Sequence, residues 1–388
     1  MKTFQGYRRA DGRTGIRNLI LVMPGVHCSE LAAKKIVQAV PGTTFLPNPS
    51  GCGQSHYDMQ TALKVLSGLC ANGNVYGVLI VGLGCEFLRE ADYREAILAK
   101  ADLPVYYIGI QEEGGIARTT EAGAAIARKL VAGALACRRE EIPLSELILG
   151  LECGGSDPTS GLSANVVLGK VTDLVIEAGG SAVMSETAEA VGAEHILKMR
   201  GKTPEIGQKL YDAVTGWEQA RQAETGENIR ANNPSPGNLA SGLTTLAEKS
   251  LGCLHKSGSH PFEDCLEYGE RISGKGLFFL NAPSYDILNT TALASAGAQL
   301  IAFTTGMGNP IGNPIAPVVK ITGNQATAQR MSDFIDFDTS ATLSGLLSPD
   351  QAAADLLKLL IEVADGRASL AEMNGACEIS INQSFSCP

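Results

Sequence analysis

The sequence lacks most of what would tie it to a membrane, to nucleic acid or to a disulfide framework. No apolar run approaches the roughly 20 residues that a membrane helix needs. The opening stretch MKTFQGYRRADGRTG has no apolar core of the kind a secretory signal carries. Basic residues number 31 against 41 acidic ones, and the net charge of −10 argues against a nucleic-acid partner. There is no CxxC pair, which excludes a zinc ribbon. The glycine-rich segments GLGCE, GCGQ and CGGSD miss both the GxGxxG and the GxxxxGK[ST] spacings, so a nucleotide site is excluded too. With no signal and no span, the expected location is the cytoplasm. In that reducing setting the ten cysteines read as free thiols, metal ligands or inert core residues.

What the sequence does have is length, glycine and alternating periodicities. Its 388 residues are enough for two domains, and 44 glycines supply many tight turns and close backbone approaches. Strand-like runs at 17–24, 43–48, 76–84 and 104–110 alternate with helical patterns at 28–40, 57–70, 91–101 and 114–136. Repeated strand–helix units predict a parallel sheet covered by helices. The charged, proline-containing segment RREEIPLSE (138–146) marks a boundary. The predicted class is therefore α/β, with two domains of mainly parallel sheet flanked by helices. Residues 1–145 form a Rossmann-like first domain, and 146–388 form a larger, catalytic one. The second domain opens on LILGLECGG and a helix at 164–180, with SAVMSE, GLFFLNAPS and QLIAFTTGMGNP as further strands. A polar stretch at 198–232 reads as helical, as does 349–364.

Parallel α/β sheets bind ligands beyond the carboxyl ends of their strands. Strand ends here deliver Cys28, Cys52, Cys85 with Glu86, Cys153 with Ser156 and Asp157, Ser185 with Glu186, and Thr304 with Thr305. That shared position makes Cys28, Cys52, Cys85 and Cys153 the candidate metal ligands. Thiolates with carboxylates nearby point to Fe(II), with Mn(II) as the second choice. His27 and His56 flank two of these cysteines. Cys70, Cys137, Cys265, Cys377 and Cys387 read as buried and inert, and His195 as structural. The loops around NPSPGN (233–238) and TTGMGNP (304–310) offer groups suited to hydroxyls and carboxylates, and Lys249 offers a cation for a carboxylate. Ser156, Asn233, Ser235, Asn238, Lys249, Thr304 and Thr305 are thus the candidate substrate contacts.

The segments GYRRADGRTGIRN, GCGQ, VGLGCE, GLECGGSDPTSGLSAN, SETAE, NPSPGNLASGLTTLAEKSLGC and NAPSYDILNTTALASAGAQLIAFTTGMGNP, in this order, resemble the altronate and D-galactarate dehydratase family across nearly the whole chain. The resemblance implies a metal-dependent lyase that converts a sugar acid to a 2-keto-3-deoxy acid. Full-length members carry a small domain ahead of GYRRADGR, which here begins at residue 6. The chain is therefore similar to the large component of a two-chain enzyme, with a separate small subunit expected. Where the family has a histidine before GCG, this chain has Ser50. A two-chain relative, the sulfolactate sulfo-lyase, eliminates sulfite instead of water, so a sulfonated hydroxy acid is the alternative substrate.

Elimination beside a carboxylate needs a base for the C2 proton, stabilisation of the enediolate and help for the leaving group. Glu186, Asp157 and His56 are the proton-transfer candidates. A cysteine-ligated redox subunit and a non-catalytic sugar-acid-binding subunit are the rival readings. A homo-oligomer is compatible with all of them.

Overall fold

The computed structural model describes residues 2–226 and 228–383. Four parallel strands form a first sheet in the order Thr43–Phe45, Leu19–Pro24, Val75–Gly82, Val105–Gly109. Seven parallel strands form a second. Their order is Phe262–Leu266, Gly276–Leu280, Ser181–Met184, Ile148–Cys153, Leu300–Thr304, Val318–Thr322, Phe337–Asp338. The class is α/β, as the periodicities predict. Val75–Gly82 shows why: seven of its eight residues are buried, so the run is apolar on both faces and needs helices on each side.

Several segments differ from the sequence reading. The charged 138–146 segment is a strand, Glu140–Pro143, which pairs antiparallel with Thr3–Arg8 (Phe4 opposite Ile142); Thr14–Gly15 completes a small third sheet. Short, half-polar edge strands carry no clear period, so the sequence reads as a linker. The polar stretch 198–232 divides into Pro204–Thr225 and Ile229–Asn232, with Gly226 at φ 73° ending the first helix. The helix Asp286–Ala296 and the strands Phe262–Leu266 and Val318–Thr322 are not read from the sequence, and Leu246–Leu254 only as an apolar helix near Lys249.

The two large sheets are joined by a shared core. Leu21, Met23, Val78 and Ile80 of the first sheet pack in one apolar cluster with Leu293, Ile301 and Phe303 of the second half. The helix His56–Cys70 starts at Ser55, whose Oγ accepts the Asp58 N–H at 3.1 Å, and it buries Met59, Ala62, Val65, Leu66 and Leu69. It lies against Asp286–Ala296 so closely that a Cβ on Gly68 would come 2.2 Å from Ser295 Oγ. Polar staples add to this. Arg17 pairs with Glu372 at 2.9 Å and donates to the Val363 and Arg367 carbonyls, while Asn72 and Asn74 donate to carbonyls at Ala294, Ala298, Gln299 and Ile315. Among the described residues no helix is long and apolar enough to cross a membrane.

Candidate active site

The strand Ile148–Cys153 is central in the seven-stranded sheet, and its last two residues are both buried. Successive side chains of a strand alternate in direction, so Glu152 and Cys153 leave on opposite faces. Cys153 meets Cys253, in the last turn of the helix Leu246–Leu254, with their Sγ atoms 3.5 Å apart. The turn that follows, His255–Ser257, brings in Lys256, which is fully buried. Its Nζ lies 3.0 Å from each of the two sulfurs and forms an ion pair with Glu186. Glu186 also accepts the Cys153 N–H at 3.2 Å.

Glu186 stands just past the strand Ser181–Met184 with φ 75°, the one non-glycine at positive φ among the described residues. A side chain held in that region costs of order 1–3 kcal/mol and marks functional loops. Cys153, Glu186 and Cys253 form the one group of three His, Cys, Asp or Glu side chains among the described residues whose ligand atoms all lie within 4.8 Å.

Electrostatics in this cluster are dominated by burial. Burial lowers the Lys256 pKa, but Cys153, Cys253 and Glu186 together hold the ammonium well above its ordinary range. Burial pushes the Glu186 carboxyl well up, the Cys153 sulfur adds to this, and Lys256 opposes it. The hydrogen bond with Cys253 and then burial raise the Cys153 thiol.

On the opposite face of the strand, Glu152 has no protein partner for either carboxylate oxygen. Burial, then the charges of Glu186 and Asp286, push its pKa well up. Ser185 Oγ and both amide atoms of Asn289 are also buried without a protein partner. Buried polar groups of this kind are met by ordered water, an ion or a bound ligand.

A pocket of about 260 Å³ reaches Cys253 and is lined by Ser156, Asp157, Ser160, Asn165 and Lys249. That size suits a small polar acid, since pockets for drug-sized ligands run from about 300 Å³ upward. Lys249 Nζ contacts Glu189 at 3.0 Å and Asn233 Oδ1 at 2.9 Å. Burial lowers its pKa, and Glu189 more than offsets this, so the ammonium is retained.

The other sequence candidates divide. Asn238 donates to the Ser156 carbonyl at 2.8 Å and forms a reciprocal cap with Ser235, which ties the 233–238 loop to the pocket wall. Asp157 is engaged at both oxygens, by Thr159, Ser160 and Asn324, and so organises the loop after Cys153. Thr304 donates to Asn165 Oδ1 at 2.6 Å, and Thr305 Oγ1 accepts the Gly308 N–H at 2.9 Å; both are buried and internally bonded.

Cys28, Cys52 and Cys85 are exposed at the rim of the four-stranded sheet and do not join Cys153 in its ligand group. His56 is exposed there too, at the start of its helix. Of the cysteines read as inert, Cys70 and Cys265 are buried, Cys137 is half-buried, and Cys377 is exposed because it lies on the C-terminal extension; Cys387 lies outside the described residues. His195 is in the short helix Glu194–Met199.

Sequence reasoning missed Cys253, Lys256, Glu152 and Asn289. A signal for the first two was present: Lys249, Cys253 and Lys256 recur at i, i+4 and i+7, one face of a helix.

At one strand end of a parallel α/β scaffold, buried acids and a thiol thus meet a second thiol and a lysine carried by a helix and its following turn. The comparisons give its class. The D-galactarate/Altronate dehydratase C-terminal family matches residues 144–386, and the second domain of D-galactarate dehydratase/Altronate hydrolase matches residues 6–135. The altronate dehydratase of Bacillus subtilis strain 168 is 36% identical over 393 residues, covering 99% of this chain and 78% of the relative. That of Escherichia coli K12 is 35% identical, covering 98% and 77%. The (2R)-sulfolactate sulfo-lyase subunit beta of Chromohalobacter salexigens is 33% identical, covering 99% and 98%. The chain belongs to the D-galactarate/altronate dehydratase family. It is a lyase of the carbon–oxygen class.

Proposed function

We propose that the chain removes water from a sugar acid such as altronate or galactarate, giving a 2-keto-3-deoxy acid. The observation that carries this reading is the pocket that holds Lys249 and ends at Cys253, beside Glu186, Lys256 and Cys153. Such a pocket offers a cation for a carboxylate at its wall and proton-carrying groups at its end.

The donor set also bears on a metal. Two sulfurs and one carboxylate within 4.8 Å fit Fe(II) better than the harder Mn(II), and Lys256, whose Nζ lies 3.0 Å from both sulfurs, would have to give way to an ion bound there. Cys153, Cys253 and Glu186 are the residues that would hold it. A divalent ion bound there would neutralise charge building on the substrate's carboxylate.

The protein's own groups supply the rest. Lys249 binds the carboxylate of the acid. Glu186 takes the C2 proton, with Lys256 holding the carboxylate in place. Glu152, on the opposite face of the strand, does not line this pocket and is given no step in the reaction. Asp157 fixes the pocket loop, and His56 remains a proton-transfer candidate on the other sheet.

A second reading is favoured by one relative: the sulfo-lyase chain whose length is matched almost throughout is named a subunit. On that reading sulfite leaves, and a small partner subunit acts with this chain. The test is anaerobic, Fe(II)-loaded protein incubated with altronate, galactarate or sulfolactate, with and without a small partner. Keto acid without sulfite supports dehydration, and sulfite selects the second reading. No turnover of any of the three, under either condition, sinks both.

A further inference from the structure

Cys28, Cys52 and Cys85 take no part in the chemistry above, yet the fold assembles them with care. The chain passes from Leu19–Pro24 to Thr43–Phe45 on one side and then to Val75–Gly82 on the other. Winding therefore reverses between Leu19–Pro24 and Val75–Gly82. The crevice at such a reversal, beyond the carboxyl ends of the strands, is where open α/β sheets place ligands. Cys28 follows the first of these two strands and Cys85 the second.

The Cys52 loop is laid across them. His27 donates its N–H to the Ser50 carbonyl at 3.1 Å, and Phe87 donates to the Gly51 carbonyl at 3.4 Å. Gly51, at φ 106°, lies so close to the Cys28 loop that a Cβ would stand 2.6 Å from the Gly25 carbonyl. The loop with Cys85 is fixed by its buried neighbour. The Glu86 carboxylate accepts the N–H groups of Leu83 at 3.0 Å and Gly84 at 2.6 Å and the Tyr107 hydroxyl at 2.7 Å. With Glu86 turned in, Cys85 is left outward. All three thiols are free and exposed, on three loops bound to one another.

We infer that these three cysteines are the ligands of an iron–sulfur cluster at the winding reversal of the first sheet. The donor chemistry is wholly soft, which suits iron and sulfide and not a hard ion. A single metal ion would need its donors close together. Among the described residues no group of three containing these thiols has its ligand atoms within 4.8 Å. A [4Fe–4S] cube takes more widely spaced thiolates, each on a different iron. Three cysteines leave one iron free of protein sulfur and open to a small oxygen ligand. His27, the nearest imidazole in sequence, is engaged by Glu30 at 3.1 Å. This centre is separate from the Cys153 group and does not depend on the activity proposed above.

The test is anaerobic reconstitution of the full chain with ferrous and ferric iron and sulfide, read as acid-labile sulfide, iron and visible absorption. About four sulfides per chain and a broad visible band are expected. Cys28→Ala, Cys52→Ala and Cys85→Ala should each bring sulfide below about one per chain, with thermal unfolding unchanged, whereas the exposed Cys377→Ala should retain it. Iron held by Cys153, Cys253 and Glu186 carries no sulfide, so the assay tells the two centres apart. Wild-type protein that takes up iron but no sulfide overturns the proposal, as does a Cys85→Ala variant with full sulfide content.

Discussion

Cys153 ends an apolar parallel strand and Cys85 lies in the loop just after one, and each has a buried glutamate for a neighbour. Their surroundings are opposite. Cys85 is exposed, and Glu86 beside it receives three hydrogen bonds. Burial raises the Glu86 pKa, but those bonds more than offset it, so the carboxyl is held below its ordinary value. Cys153 is buried, and Glu152 beside it has no protein partner, so burial pushes that carboxyl well up. Similar residue pairs thus yield a hydrogen-bonded carboxylate on one sheet and a buried one without a protein partner on the other. Burial with hydrogen-bond compensation lowers a carboxyl's pKa, and burial without it raises it.

The largest effect that could break this contrast is kinetic. Glu186→Gln should lower turnover about 10²–10⁴-fold, the usual worth of a positioned proton-transfer group, while Glu86→Gln should leave turnover within a few-fold. Steady-state rates of keto acid formation check it, and equal losses in both variants would erase the distinction.

Next comes the buried ion pair. Lys256→Met leaves Glu186 without its partner and should destabilise the fold by about 3–5 kcal/mol. Adding Glu186→Gln to that variant should recover most of the loss. Urea unfolding of the two proteins decides it.

A third test uses Lys320, whose ammonium is fully buried over the Phe303 ring at 3.9 Å. Burial lowers its pKa to about 7 from 10.5, despite Asp286 and Glu152 acting the other way. Between those values the unfolded chain holds a proton that the folded state releases, so this group makes stability rise with pH across that window. The penalty is fully present below about 7 and is relieved towards 10.5. Lys320→Met should flatten the rise by on the order of a few kcal/mol, as denaturant midpoints at pH 7 and 10 would show.

The smallest effect sharpens the contrast from the other side. Cys28→Ala and Cys85→Ala in metal-free protein should change stability by no more than about 0.5 kcal/mol, because both thiols are exposed. Cys253→Ala, a buried change, should cost visibly more in the same unfolding series.

The first half of the fold was plain in the sequence, because Val75–Gly82 and its neighbours are apolar on both faces and are separated by helical periods. Glu140–Pro143 was not, since a short edge strand with two exposed glutamates has no hydrophobic period to read. At the site, Cys153, Glu186, Ser156 and Lys249 were visible as strand-end or loop groups. Cys253 and Lys256 arrive on a helix and its following turn, so their only trace in the sequence is the helical spacing from Lys249. Thr304 and Thr305 have the right position but are used up by internal hydrogen bonds, which position along the chain does not reveal.

By itself the sequence determined the α/β class, the family and the strand ends at which chemistry gathers, since these follow from local periodicity and contiguous motifs. Only the tertiary structure decided which thiols meet: Cys153 joins Cys253, one hundred residues away, while Cys28, Cys52 and Cys85 stay on the other sheet. The reason is that helix and strand periods act over a few residues, whereas the meeting of two sulfurs depends on how a helix docks against a distant sheet, which the shared core fixes.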